Sequence, residues 1–344
     1  LSFALSFAID HMFIFSARLK QSLLLLPVLM TLLTACDPAS LPLPAPVTPT
    51  PNPYNFRISL SVYPNDPEAD FLNKVSAAKT RAYMKMYMLT DFRMVDALAK
   101  AKKSGADVRA IVEQDIPFAG DVAKAAYDKL TAAGIPTKYA GPAFKLSHEK
   151  SYVIDNEAIV DTANMTFSAY TRNREFAITT ANKDQVDEIA ASFLADWNRT
   201  AFTPTVTALV WSPENARVKL SALVKRATKT LDVYAEIAQD KEMQALLVDR
   251  AQNGVAVRFL ISPNSSTATD TDAAGLDQLQ RGGVKVRYLT SPYVHAKVFV
   301  VDGALAYVGS HNFSRSSLEL NRELGIIFSD QTAIVRLWTT YEAD

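Results

Sequence analysis

Apolar positions recur at helical spacing over residues 68–80 and again over 214–229, as on one face of an amphipathic helix. Each stretch runs into a strand-like apolar segment, 82–89 or 230–237. A second helical pattern covers 92–104 and 240–253 and stops at Gly105 or Gly254, a common helix end. Continuous apolar runs follow at 108–113 and 255–261, then a third helix, then Gly134 or Gly283 and a short strand. Residues 262–275, rich in Ser, Thr, Asn and Asp, form a long polar loop.

The body is therefore one unit written twice, over 56–203 and 205–344. Ser104-Gly105-Ala106-Asp107-Val108-Arg109 matches Asn253-Gly254-Val255-Ala256-Val257-Arg258, and Asn173-Arg174-Glu175 matches Asn321-Arg322-Glu323. The period, about 148 residues, is far too long for a solenoid and indicates a duplicated domain. Helices alternating with apolar strands predict an α/β fold, each half a mixed, largely parallel sheet flanked by helices.

The first 55 residues read differently. Arg18 and Lys20 precede a short apolar run at 23–33, and Leu33-Thr34-Ala35-Cys36 follows. A basic flank, a short apolar run and small residues describe an export signal over 1–35, and a membrane span would need about 20 apolar residues. Met12 would serve as a start, with 1–11 an upstream extension. Leu33-Thr34-Ala35-Cys36 resembles a bacterial lipobox, which implies that Cys36 is acylated and that the exported protein is anchored to a bacterial membrane. Residues 36–55, with seven prolines between Pro38 and Pro53, predict an extended spacer that holds the body off that membrane.

Composition narrows the partners. Lys plus Arg and Asp plus Glu both number 36. The halves are balanced too, with 19 basic and 19 acidic residues over 56–203 and 15 of each over 205–344. A protein that grips nucleic acid by bulk charge is disfavoured. With a single cysteine, an intramolecular disulfide and a cysteine zinc site are excluded.

The chemistry sits in two matching strings. One reads His148-Glu149-Lys150 with Asp155 five residues on; the other reads His295-Ala296-Lys297 with Asp302. On a strand, residues i and i+2 share a face, so each histidine and lysine would project together. A second cluster follows each: Asp161-Thr162-Ala163-Asn164 and Gly309-Ser310-His311-Asn312, each leading to Glu175 or Glu323. Cleaving a phosphodiester needs a nucleophile, a proton donor for the leaving oxygen and positive charge around the phosphate. Two histidines can divide the first two roles and two lysines supply the charge. Thr162, Ser310, Asn164 and Asn312 are candidate phosphate donors, and Glu175 and Glu323 are candidates to set the histidine tautomers. The scheme needs no metal and no cofactor. His311 reads as a variable position inside its cluster. Tyr152, Phe299, Tyr170 and Phe313 read as core or rim, and Arg172 and Arg315 are minor candidates for secondary phosphate contact.

The doubled H-x-K-x4-D strings with the Gly-Ser-x-Asn cluster resemble the phospholipase D superfamily. The second half fits that pattern fully. The first has one residue fewer after Asp155, Asp161 in place of glycine and Thr162 in place of serine. The resemblance implies an active site at the interface of the halves, complete in one chain. It implies that one histidine attacks phosphorus and the other protonates the leaving alcohol; His148 is assigned as nucleophile and His295 as acid/base, with near-symmetry leaving the reverse open. It implies that Asp155 and Asp302 are structural supports. The expected activity is cleavage of a phospholipid to phosphatidic acid. A phosphatidyltransferase like the cardiolipin synthases and a secreted non-specific endonuclease are the alternatives.

Overall fold

The computed structural model describes residues 52–117, 119–263 and 270–344. Cys36, the expected signal segment, nearly all of the Pro-rich spacer and the middle of the polar loop lie outside the described residues.

In the first half the elements are β1 (Ile58–Tyr63), α1 (Glu68–Ser76), β2 (Arg81–Met86), α2 (Arg93–Lys103), β3 (Asp107–Val112), α3 (Val122–Ala132), β4 (Thr137–Tyr139), β5 (Lys150–Ile154), β6 (Glu157–Asp161), α4 (Phe167–Thr171), β7 (Asn173–Thr180) and α5 (Lys183–Asn198). The second half repeats them as β8 (Leu209–Ser212), α6 (Ala216–Lys225), β9 (Thr230–Tyr234), α7 (Lys241–Gln252), β10 (Ala256–Ile261), α8 (Asp270–Arg281) and β11 (Lys285–Tyr288). Then come β12 (Tyr293–Val294), β13 (Val298–Val301), β14 (Leu305–Gly309), α9 (Arg315–Glu319), β15 (Glu323–Phe328) and α10 (Gln331–Ala343). Helices α2 and α7 stop where expected, at Gly105 (φ 98°) and Gly254 (φ 87°), a backbone state glycine enters without steric cost. Helices α5 and α10 follow turns capped by Asn182 and Asp330, whose side chains accept from Gln185 N and Ala333 N.

One sheet runs β1-β7-β6-β5-β2-β3-β4; read from β8, the other runs in the same order, β8-β15-β14-β13-β9-β10-β11. The α/β class is as expected, but the strand directions correct the expectation of a largely parallel sheet. Only β2, β3 and β4, and likewise β9, β10 and β11, run parallel within their sheets; the remaining pairs in each order are antiparallel. The alternation of helix and strand stops at β4 and β11. Beyond them the chain folds back in short hairpins, which only antiparallel strands allow.

Alternate residues divide each strand between two cores. In β6, Ala158 and Val160 join β14's Ala306 and Val308 in a cluster shared by both sheets. Ile159 turns to the first half's outer core and Leu305 and Tyr307 to the second's. Helices α5 and α10 add Ile189, Phe193, Ile334 and Leu337 to the shared cluster. Among the described residues no helix is long and apolar enough to cross a membrane.

Candidate active site

Each motif histidine stands just before its strand, in a segment that pairs with the opposite half. β12 runs parallel to the start of β7, with Tyr293 opposite Asn173 and Val294 opposite Arg174. In the mirror arrangement Ser147 bridges Arg322, and the amide of His148 donates to the Arg322 carbonyl at 2.9 Å. Each segment is also clamped within its own half. Glu113 accepts from the Ser147 amide at 2.5 Å, and Ser262 accepts from the Val294 amide at 2.7 Å.

This cross-pairing exchanges the carboxylates. His148 Nδ1 lies 2.9 Å from Glu323 Oε2, and His295 Nδ1 lies 2.7 Å from Glu175 Oε1. Each glutamate is fully buried and serves the histidine of the other half. The neighbouring arginines lock the same junction. Arg174 makes two 2.7 Å bonds to Asp344, and Arg322 pairs with Asp196 at 3.3 Å and Glu214 at 2.7 Å. Burial pushes His148 below its ordinary value, with Lys150 and Lys297 acting in the same sense against Glu323. Burial alone would raise the Glu323 carboxyl; His148, His311 and Lys150 bring it down to about 2. A neutral His148 in this arrangement would donate Nδ1–H to an ionised Glu323 and keep its Nε2 lone pair.

Both lysines are buried, and each ammonium donates to the carbonyl of its own histidine, Lys150 at 2.6 Å. Burial lowers Lys150 to about 7. Asn164 and Asn312 line the same cavity of about 690 Å³ as His148, His295, Tyr87 and Glu236. Their buried Oδ1 atoms have no hydrogen-bond partner, and each side chain also carries an Nδ2 group able to donate to an anionic ligand. A cavity of about 720 Å³ beside α5 holds neither histidine.

Thr162 and Ser310 require a correction, since neither hydroxyl faces the cavity. Thr162 Oγ1 donates to Glu175 at 2.5 Å and accepts from the Phe176 amide; Ser310 Oγ donates to the Leu324 carbonyl and accepts from its amide. They support the glutamate strands β7 and β15, because a hydroxyl at a buried strand end is satisfied by the adjacent backbone. Asp155 and Asp302 hold hairpin turns at φ 52°. Their carboxylates accept from the amides of Thr80 and Lys79 or of Lys229 and Thr230. The hairpin between β5 and β6 has a two-residue turn and that between β13 and β14 a three-residue turn, which accounts for the residue missing after Asp155.

Asp161 sits on the outer face of β6. It accepts from Ala163 N at 2.8 Å and Tyr170 OH at 3.3 Å, and burial pushes its carboxyl far above the usual range. Its counterpart Gly309 has no room for a Cβ, which would meet the Tyr307 hydroxyl at 2.3 Å and Gly325 Cα at 2.5 Å. His311 lies two residues on, in the same cluster. It is buried, its Nδ1 lies 2.6 Å from Tyr307 OH, and burial lowers it to about 4. Tyr152, Tyr170, Phe299 and Phe313 pack in the outer cores. Arg315 pairs with Glu319, and neither it nor Arg172 lines the cavity.

Two cavity residues escaped the sequence. Beyond β2 comes Tyr87, whose ring meets that of His148 edge-on at 4.6 Å and lies 5.0 Å from Lys150 Nζ. Beyond β9 the equivalent position holds Glu236, which lies 3.0 Å from Lys297 Nζ and 3.5 Å from His295 Nε2. A search for repeated residue types passes over a position where the copies differ. Among the described residues no group of three or more His, Cys, Asp or Glu side chains is placed to hold a metal ion.

Known proteins resemble this chain. The family described as "Cardiolipin synthase, PLD-like domain" matches residues 71–197 and 220–344. Phospholipase D Z of Dictyostelium discoideum is 38% identical over 95 residues, which is 26% of this chain and 22% of that protein. Cardiolipin synthase 2 of Bacillus cereus is 24% identical over 318 residues, 79% of this chain and 61% of that protein. The chain thus spans less than two thirds of either relative. The crystal structure of phosphatidylserine synthase from Haemophilus influenzae Rd KW20 superposes with a TM-score of 0.64 at 14% identity, over 83% of this chain and 85% of that one. That likeness is one of fold.

Proposed function

The chain belongs to the PLD-like domain family described for cardiolipin synthase, and from that premise we propose that it cleaves phosphatidyl esters through a phosphohistidine on His148. The observation that carries the reading is the crossed pairing of two histidines with two buried glutamates around one cavity. His148 Nε2 attacks phosphorus, and the bond to the alcohol oxygen breaks. His295 faces Glu175 through Nδ1 and Glu236 near Nε2, so both its nitrogens are placed to carry protons. It gives one to the departing oxygen. The neutral His295 then takes a proton from water, which attacks phosphorus, breaks the P–N bond and releases phosphatidic acid. Lys150, Lys297, Asn164 and Asn312 hold the phosphate oxygens.

The test is a product assay on mixed phospholipid vesicles with a little ethanol and a chelator. Phosphatidic acid with phosphatidylethanol, absent in His148→Ala, is the expected result. Absence of any lipid product sinks the reading. Transfer of the phosphatidyl group to an alcohol is the second reading, favoured by the 318-residue resemblance to a cardiolipin synthase; it predicts cardiolipin from phosphatidylglycerol vesicles. Balanced charge in both halves weighs against a nuclease. Export and acylation of Cys36 belong to the same proposal. Incorporation of a labelled palmitate, abolished in Cys36→Ser, tests them.

A further inference from the structure

The two motif histidines are mounted differently. Glu149 stands between His148 and Lys150, where the second half has Ala296 between His295 and Lys297. On the neighbouring strand Lys85 lies opposite Ser151, and in the equivalent register Tyr234 lies opposite Val298. Lys85 and Glu149 are both buried and form an ion pair at 2.9 Å. Glu149 also accepts from the Ser151 hydroxyl at 2.5 Å.

From that pair a chain of contacts runs back to the same histidine. Lys85 Nζ lies 2.7 Å from Asp196 Oδ2 on α5, and Asp196 faces the Arg322 guanidinium at 3.3 Å. The Arg322 carbonyl accepts from the His148 amide at 2.9 Å, and the next residue is Glu323, the carboxylate beside His148 Nδ1. A closed circuit therefore passes from His148 through Glu149, Lys85, Asp196, Arg322 and Glu323 to His148 again. The second half has only part of it. Tyr234 and Arg174 each donate to Asp344 at 2.7 Å, but Ala296 has no polar side-chain atom to close the circuit, and the His295 amide reaches the Arg174 carbonyl at 3.4 Å. Apolar residues often replace a buried ion pair without loss of stability, and Tyr234 and Ala296 are buried in those places. Placement is the better reason for Lys85 and Glu149. A nucleophile has to meet phosphorus in line, and about 1 Å of misplacement can cost on the order of 10²-fold. An acid that gives its proton to one oxygen and then takes one from another has two positions to serve.

We propose that Lys85 and Glu149 are positioning residues that fix His148 for in-line attack and leave His295 free to serve the leaving alcohol and then water. The inference rests on the function proposed above, with His148 as its nucleophile, and deepens it.

The experiment uses the full chain with Lys85→Tyr and Glu149→Ala combined, which copies the second half and leaves Asp196 its partner Arg322. Proton NMR follows the Nδ1 protons of His148 and His295, each assigned by its loss in the corresponding alanine variant. Exchange of the His148 proton with water should accelerate about tenfold or more, with that of His295 unchanged. On bis(p-nitrophenyl) phosphate the burst of nitrophenolate should slow by about 10–10²-fold while KM stays within about twofold. Glu149→Gln, which keeps a hydrogen-bond acceptor for Lys85, should retain most of the burst rate that Glu149→Ala loses. Equal acceleration of exchange at both histidines, no acceleration at either, or a burst as fast as in the wild type would overturn the proposal. The expected exchange pattern together with no burst in the wild type would instead retire His148 as the nucleophile of a phosphodiesterase and leave the positioning of its ring by Lys85 and Glu149 standing.

Discussion

The two halves share strand order, hairpin aspartates, crossed glutamates and junction arginines, yet they differ at single positions beside that frame. The first half puts Tyr87 beside its histidine and lysine; the second puts Glu236 there. The first fills the strand end before its asparagine with Asp161, held by Ala163 N and Tyr170; the second leaves Gly309 so that Tyr307 can reach His311. Duplication supplied a symmetric frame, and divergence beside the two histidines gave one a phenol ring and the other a carboxylate.

The sharpest break of that comparison lies in the histidines. On a phospholipid, His148→Ala and His295→Ala should each lose about a thousandfold or more in kcat. On a p-nitrophenyl phosphodiester, whose leaving group needs no proton, His295→Ala should still release a burst of nitrophenolate and His148→Ala none. A burst in the other variant would reverse the assignment. Next come the crossed carboxylates. Glu323→Gln should resemble His148→Ala and Glu175→Gln should resemble His295→Ala, each losing roughly 10²–10⁴-fold. If each instead mimicked the histidine of its own half in burst assays, the crossing would be refuted.

The junction arginines come third. Removing one partner of a buried ion pair costs about 3–5 kcal/mol, and urea unfolding should show this for Arg174→Ala. Arg322→Ala should cost less, because Asp196 keeps Lys85 at 2.7 Å. Equal losses would mean that Lys85 does not compensate. The pH profile is a gentler probe. Lys150 must be protonated to hold a phosphate and sits near 7, so kcat/KM should fall above that pH by about tenfold per unit. His148 must be neutral to attack, and its lowered value places the acid limb below about 6.5. Lys150→Arg should alter the position of the alkaline fall; a wild-type profile level to pH 9 would contradict the role given to Lys150. The smallest effect is Gly309→Ala, which drives a Cβ into Tyr307 and should cost about 1–3 kcal/mol. Asp161→Gly, opposite Ala177, should cost less in the same thermal melts.

Much of this was legible along the chain. The duplication, the α/β class, the helices ending at Gly105 and Gly254 and the motif strings all rest on local spacing, which a linear reading captures. Strand direction was misjudged because β5 and β13 look like any buried apolar run, and nothing in that run says whether its neighbour is parallel. Thr162 and Ser310 were misjudged because a hydroxyl inside a motif reads as a donor until the adjacent strand is seen to satisfy it.

Local pattern was thus sufficient for the repeated unit, its punctuation and the residue types that phosphodiester chemistry requires. Which carboxylate faces which histidine was decided only in three dimensions. Glu323 and His148 stand 175 positions apart in sequence, and Glu175 and His295 come from opposite halves as well. They meet because the segment before each histidine finds its hydrogen-bond partners on the strand of the other half. Backbone pairing between distant segments follows from the shape of the shared core, and periodicity within either segment carries no record of it.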